Sequence, residues 1–288
     1  WRDSLALIRF HGKCPGRHHL VTSSSSIFHS ARSTSVRLFA TQYTIEEEGV
    51  DPEVLDKTVH KHFEHLHRFL EAKPVAGHTQ DAFCTLASML GSMGDAPIIL
   101  DSGCGTGKST VTLGKLYPNH IIVGVDRSLA RLTKNGIYRE QDTNSDTTNV
   151  VFVRADLTDF WRLWTESSLP KPEQHYLLYP NPYPKRRRFQ TRWYAHPAFP
   201  LILQDMASDK IVVRSNWKAY VEDFASATST ANQIKLEKGD ESSHIYSCHL
   251  PTVVDPTQPA WTNFEQKYFD CGEECYEVVL TKADATTS

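Results

Sequence analysis

The residues with the clearest chemical potential lie in Asp101-Ser102-Gly103-Cys104-Gly105-Thr106-Gly107, directly after the apolar run Ile98–Leu100. Glycines at alternate positions let a backbone turn sharply from strand to helix and approach a ligand closely. A dinucleotide loop asks for G-x-G-x-x-G, and here the third glycine comes one residue early. A phosphate-binding loop asks for G-x-x-x-x-G-K-[ST]. Gly107-Lys108-Ser109 supplies its end, but Ser102 stands where its first glycine belongs. The carboxylate of Asp101 would repel a triphosphate and favour a ligand carrying positive charge. Two more acids end the next apolar runs. Gly124-Val125-Asp126 places a carboxylate where it can accept both hydroxyls of a ribose, and Arg154-Ala155-Asp156 places an acceptor where an adenine amine would lie. Acids at strand ends are common singly; three on successive strands form a set.

A fourth apolar run, Tyr176–Tyr179, leads into Pro180-Asn181-Pro182-Tyr183-Pro184. Ligands of open parallel sheets sit beyond the carboxyl ends of the strands, so Asn181 is expected at the reacting group, held extended by its prolines. Lys185-Arg186-Arg187-Arg188 follows, then Arg192. With Tyr183, Phe189 and Trp193 between them, these cations suit a phosphate backbone and stacked bases.

The elements that must position these residues alternate. Apolar runs at Ile98–Leu100, Ile121–Val125, Val150–Val153, Tyr176–Tyr179 and Ile211–Val213 are separated by helical spacing, as in Ser109–Leu116 and Ser128–Tyr138. Strands separated by helices predict an α/β fold, a doubly wound, mostly parallel sheet with helices on both faces. Trp217–Ala227 reads as a further helix, 251–260 as a proline-rich loop, and Ile245–His249 and Tyr276–Leu280 as an antiparallel edge. Upstream, Val59, Phe63, Leu66, Phe69 and Leu70 predict a helix over Val54–Ala72, followed by another over Thr79–Met93. The histidines at 60, 62, 65 and 67 lack metal-ligand spacing and read as helix-surface side chains, so no metal is expected. Trp161 and Trp164 fit a helix packed on the sheet; Cys104, Cys271 and Cys275 read as structural.

An acid followed by G-x-G-x-G resembles the loop of S-adenosylmethionine-dependent methyltransferases. The stretch at 180–188 resembles the F-P-D-P-W-P-K motif of the tRNA (guanine-7-)-methyltransferase family, with its trailing basic residues. Arg214–Tyr220 is similar to that family's T-D-x-x-x-Y segment, Thr262–Glu265 with Gly272 to its late T-x-F-E segment, and His196-Pro197-Ala198-Phe199 to its Q-P-x-F. These motifs run in order over residues 75–282. The resemblance implies a seven-stranded, Rossmann-like methyltransferase sheet and methyl transfer from S-adenosylmethionine to nitrogen 7 of a guanosine in tRNA. It also implies site residues. Asp101, Gly103, Gly105, Gly107, Asp126, Asp156 and Asn181 would hold the cofactor, with Asn181 also aligning the reacting groups. Lys185, Arg187, Asn216, Thr262, Asn263, Phe264 and Glu265 would hold the RNA. Two departures stand out: Asn181 and Asn216 occupy positions where the family has aspartate. Guanine nitrogen 7 needs no general base, but its methylation creates a cationic purine that a carboxylate would stabilise. Asn-Pro-Tyr-Pro is also similar to the [DN]-P-P-[YFW] motif of amino-group methyltransferases acting on adenine or cytosine, which gives an alternative. An RNA-binding protein with a vestigial cofactor site is the non-enzymatic alternative.

At 288 residues, 40% hydrophobic and 23% charged, the chain is long enough for one large domain, or at most two. No apolar run reaches the roughly 18 residues of a membrane helix. Six cysteines are too few for a disulfide scaffold and suggest a reducing compartment. A net charge of −3 argues against a polyanionic partner only if charge is spread evenly, and it is not. Residues 1–45 carry Arg2, Arg9, Lys13, Arg17, Arg32 and Arg37 against Asp3, with a serine run at 23–26. That composition predicts an organellar transit peptide, to mitochondrion or plastid, the cytoplasm being expected otherwise. The chain opens on Trp1 rather than Met, as expected of a sequence whose start is missing. The expected divisions are the leader at 1–45, a helical region at 46–95, the methyltransferase domain at 96–282 and a tail at 283–288.

Overall fold

The computed structural model describes residues 49–134, 149–239 and 245–283. The leader expected at 1–45, the end of the helix expected over Ser128–Tyr138 and nearly all of the tail lie outside them.

Eight strands form one sheet: β1 (Ile98–Ser102), β2 (Ile121–Asp126), β3 (Val150–Arg154), β4 (Gln174–Leu178), β5 (Lys210–Ser215), β6 (Tyr246–Cys248), β7 (Thr252–Val253) and β8 (Tyr276–Lys282). Their order is β3-β2-β1-β4-β5-β8-β6, with β7 paired to β8 beside that path. The first five strands are parallel, with Asp101 opposite Gly124 and Tyr176. β8 runs antiparallel to β5, so the expected doubly wound sheet with an antiparallel edge is present. The order reverses between β1 and β4, the switch point where open sheets of this kind bind ligands. β7 lies inside the stretch expected to be loop. Thr252 and Val253, both β-branched, pair with Glu277 and Tyr276 in a bridge too short to show in the sequence pattern.

Eight helices complete the described chain: α1 (Pro52–Ala72), α2 (Gly77–Ser92), α3 (Lys108–Leu116), α4 (Leu129–Leu132), α5 (Leu157–Glu166), α6 (Phe199–Gln204), α7 (Lys218–Glu237) and α8 (Asn263–Asp270). Two 3-10 turns, Arg186–Thr191 and Trp193–Ala195, separate β4 from α6. Among the described residues no helix is long and apolar enough to cross a membrane. α1 starts where Asp51 accepts the Glu53 and Val54 N–H groups and Pro52 pre-sets the first turn. α7 runs ten residues past its expected end at Ala227. Its buried residues there are Thr228, Thr230, Ala231, Ile234 and Lys235, mostly small or polar, which leave little apolar period in the sequence.

Alternation along the strands divides the core. Ile98, Leu100, Val123, Leu177 and Val213 face the larger cluster, which includes Leu55 and Val59 of α1, Phe83 and Leu86 of α2, and Trp161 and Trp164 of α5. Ile99, Ile122, Tyr176 and Val212 face the other side with Leu113 of α3. The N-terminal helices therefore share the core of the sheet. One histidine of α1 departs from expectation. His62 is buried, with Nε2 at 3.0 Å from the Ala195 carbonyl, and burial lowers its pKa.

Candidate active site

Strands β1 to β4 bring the glycine loop, Asp126, Asp156 and Asn181 to the carboxyl edge of the sheet. Gly103, Gly105 and Gly107 all have positive φ, the conformation that turns β1 into α3. At Gly107 space is also limiting, since a Cβ there would stand 2.7 Å from Cε1 of Phe152. The loop is tied to the end of β2. Gly103 and Cys104 donate to the Val125 carbonyl, and Gly105 donates to Asp126 Oδ2 at 3.0 Å. The other Asp126 oxygen accepts the Ser128 N–H at 2.7 Å and pairs with Arg131 at 3.1 Å. Asp156 caps α5 through Oδ1, which accepts the Thr158 and Asp159 N–H groups.

A cavity of about 490 Å³ joins these points. It runs from Ser102, Gly103 and Asp126 past Asp156 and Leu157 to Tyr179, Pro180 and Asn181, and ends against Lys73, Trp193 and His196. Beyond it, the 3-10 turn carries Lys185, Arg186, Arg187 and Arg188 on the exposed surface, with the Arg188 guanidinium 5.1 Å from the Tyr183 ring centre. Asn181 sits between two residues in the left-handed region, Tyr179 (φ 53) and Tyr183 (φ 44). Such non-glycine conformations cost about 1–3 kcal/mol each and persist where surroundings enforce them. Here the enforcing contacts are visible. Tyr179 Oη donates to Glu265 Oε1 at 2.7 Å, the Tyr183 carbonyl accepts Arg192 Nη2, and Asn181 Oδ1 accepts the Tyr183 N–H at 3.0 Å. The sequence credits the prolines with holding Asn181 extended; a turn closed by the Asn181 side chain on the Tyr183 N–H fixes the segment beside them.

Several expected site residues stand elsewhere. Asp101 does not line the cavity: it is buried beneath the loop, and its Oδ2 accepts the Ser109 and Thr110 hydroxyls at 2.7 Å each. The Ser109 hydroxyl, which a phosphate-binding loop would turn to a nucleotide, is committed instead to Asp101. Burial pushes the Asp101 carboxyl up to about 6, against the lowering effect of the two hydroxyls. Burial also raises the Cys104 thiol well above its usual range, which leaves it unreactive. Glu265, expected near the base, is enclosed by Arg214 at 2.9 Å, the Tyr179 hydroxyl and the Trp261 N–H. With its side chain 1% exposed, it fastens α8 to the sheet and is not a surface for substrate. Thr262 caps α8 by accepting the Glu265 N–H. Asn263 donates to Thr106 of the glycine loop, and Phe264 packs on the Tyr179 ring at 5.3 Å between centres, so these residues brace the rim without lining the cavity. Asn216 lines a separate hollow of about 300 Å³ with Lys218, Glu273 and Glu274. Arg192, counted from sequence among the exposed cations, is 4% exposed and bonds Tyr194 Oη and the Tyr183 carbonyl.

Other residues line the cavity without having been marked for it in the sequence, although Trp193 and His196 fall in stretches singled out there. Phe69 and Lys73 come from α1 and its C-cap, and Trp193 and His196 from the connection after the basic turn. His196 lies edge-on to Phe69 and to Trp193, and burial lowers its pKa to about 4, so the ring is neutral. Beneath the floor, Ser102 Oγ accepts from Trp161 Nε1 and lies 2.8 Å from Nε2 of the fully buried His175.

Residues 95–278 match a family model described as "Putative methyltransferase". The chain belongs to this methyltransferase family. Among its relatives, a protein of Alkaliphilus metalliredigens named tRNA (guanine-N(7)-)-methyltransferase is 26% identical over 191 residues, covering 64% of this chain and 82% of that one. A Rubrobacter xylanophilus protein of the same name is 36% identical over 102 residues, 34% of this chain and 43% of its own length. A solved structure of the 16S rRNA methyltransferase KamB overlaps 74% of this chain and 96% of that one at 13% identity, with a TM-score of 0.47. The fold of this methyltransferase rests on its strand order and not on that overlap.

The methyltransferase cavity fits S-adenosylmethionine. Its size lies in the range that small-molecule sites occupy. Asp126 and Asp156 bring acceptor oxygens to it, and at Gly103 a Cβ would meet nothing nearer than Leu157 Cδ1 at 4.0 Å, leaving that wall open to a ligand.

Proposed function

We propose that this methyltransferase transfers a methyl group from S-adenosylmethionine to nitrogen 7 of a guanosine in tRNA. The observation that carries the reading is continuity. One cavity runs from the glycine loop, Asp126 and Asp156 to Asn181, and after Pro182-Tyr183-Pro184 the chain enters four consecutive cations. The ordered family motifs and the names of the relatives agree with it.

S-adenosylmethionine, when bound, supplies an electrophilic methyl on a sulfonium. Asp126 would accept from its ribose hydroxyls and Asp156 from its adenine amine, while Gly103 lets its amino-acid portion approach the loop. The acceptor nitrogen carries a free lone pair at neutral pH, so the chain needs to orient and desolvate it and not deprotonate it. Asn181 would orient the base. Its Oδ1 is committed to the Tyr183 N–H, and since a backbone N–H can only donate, that atom is the oxygen. The amide NH2 is thus the end left for other partners. Tyr179 and Phe264 form an aromatic rim, Phe264 being 42% exposed. Lys185 and Arg187, with Arg186 and Arg188 around them, would take the RNA backbone.

The test is mass spectrometry of nucleosides from tRNA incubated with the full chain and labelled S-adenosylmethionine. Label in 7-methylguanosine is expected; label in methyladenosine or methylcytidine instead would overturn the reading in favour of amino-group methylation.

A further inference from the structure

Lys73 stands 83 residues from Asp156 in the chain and meets it at the cavity wall. Resting on the cofactor reading above, we propose that Lys73 is a positioning residue for the cofactor's adenine, acting through Asp156.

The α1–α2 junction is fastened to the start of α5 at several points. Arg162 of α5 donates to the Leu70 and Lys73 carbonyls at 2.6 and 3.0 Å, fixing the backbone from which the lysine projects. The Ala76 N–H donates to Asp159 Oδ2 at 3.1 Å, and the Asp156 N–H donates to the buried Thr79 hydroxyl at 3.1 Å. The Lys73 ammonium bridges the two acids, bonding Asp159 Oδ1 and, at 3.2 Å, Asp156 Oδ1. Asp159 is 3% exposed, so it anchors the ammonium; Asp156 faces the cavity. Lys73 and two helix-start N–H groups all converge on Asp156 Oδ1. Among the described residues Oδ2 takes no hydrogen bond. The carboxylate is thereby locked in rotation, with one oxygen spent and the other left as an acceptor. An exocyclic amine is the donor it would select, and the carbonyl of a 6-oxo purine would be rejected, because two acceptors would then face each other.

This role can be separated from mere support of the fold. Affinities of S-adenosylhomocysteine and its 6-oxo analogue, S-inosylhomocysteine, are measured by calorimetry on the full chain. The wild type is expected to prefer the adenosyl compound by about tenfold or more. Lys73→Met should reduce that preference to within about threefold, and Lys73→Arg, which keeps a cation between the acids, should restore most of it. A structural lesion alone would weaken both compounds equally. An unchanged ratio in Lys73→Met, or Lys73→Arg no better than Lys73→Met, would overturn the proposal while leaving the cofactor reading intact. Failure of the wild type to bind S-adenosylhomocysteine would instead overturn the cofactor reading, and the proposal with it.

Discussion

Glu265 reads in sequence as part of a polar segment that could face a substrate, and in the folded chain it is among the most enclosed acids. The difference is a matter of partners from distant strands. Arg214 comes from β5 and Tyr179 from the end of β4, and neither is paired to position 265 by any local spacing. Asp126, Asp156 and Asn181, by contrast, were legible, because strand ends in a parallel sheet map sequence position onto one edge. Asp101 was legible in place but not in direction, since pleating turns its carboxylate under the loop. Removing one member of a buried ion pair leaves the other uncompensated. Glu265→Ala should therefore lower the unfolding free energy by about 3 kcal/mol in urea titration. Unaltered stability together with a raised KM for tRNA would instead return Glu265 to direct substrate contact.

Among the elements, β1 to β5 appear near their apolar runs, and the glycine loop falls where strand must become helix. What stayed hidden was either short, as β7 is, or poor in apolar residues, as the second half of α7 is. The connection after β4 is one cationic stretch in sequence but divides in the fold. Arg192 turns inward to hold Tyr183 and Tyr194, whereas residues 185–188 remain on an exposed turn. Only the outward part can release counterions on binding RNA. Replacing Lys185, Arg186, Arg187 and Arg188 by glutamine should flatten the slope of log affinity for tRNA against log salt by about 3, given somewhat less than one unit per phosphate contact. The slope is read from filter binding at several salt concentrations. A slope equal to the wild type's would show that the RNA lies elsewhere.

For the whole molecule, a net charge of −3 says little about partners, because the cations that matter are gathered beside the cavity. Its stability should depend on pH through groups buried under that cavity. Burial pushes His175 down to about 3 from an ordinary 6.5. The unfolded chain then takes up the proton first, so this contribution is full above pH 6.5 and is lost as pH falls toward 3. Asp101 works in the opposite sense. Raised to about 6 from 3.8, it binds its proton first in the fold, which relieves the cost of burying it as pH drops through 6 toward 4. Between pH 6.5 and 5 the histidine alone accounts for about 2 kcal/mol. Urea unfolding of His175→Asn over that range should therefore show a loss about 2 kcal/mol smaller than the wild type's; equal losses would mean the imidazole protonates freely in the fold. At the centre of the molecule's function is the cavity between the glycine loop and Asn181, where the methyl donor would bind. Asp126 both lines that cavity and fastens Gly105. Calorimetric titration of S-adenosylmethionine into the full chain should show one site, weakened about tenfold or more in Asp126→Ala; no binding by the wild type, or equal affinity in the variant, would contradict it.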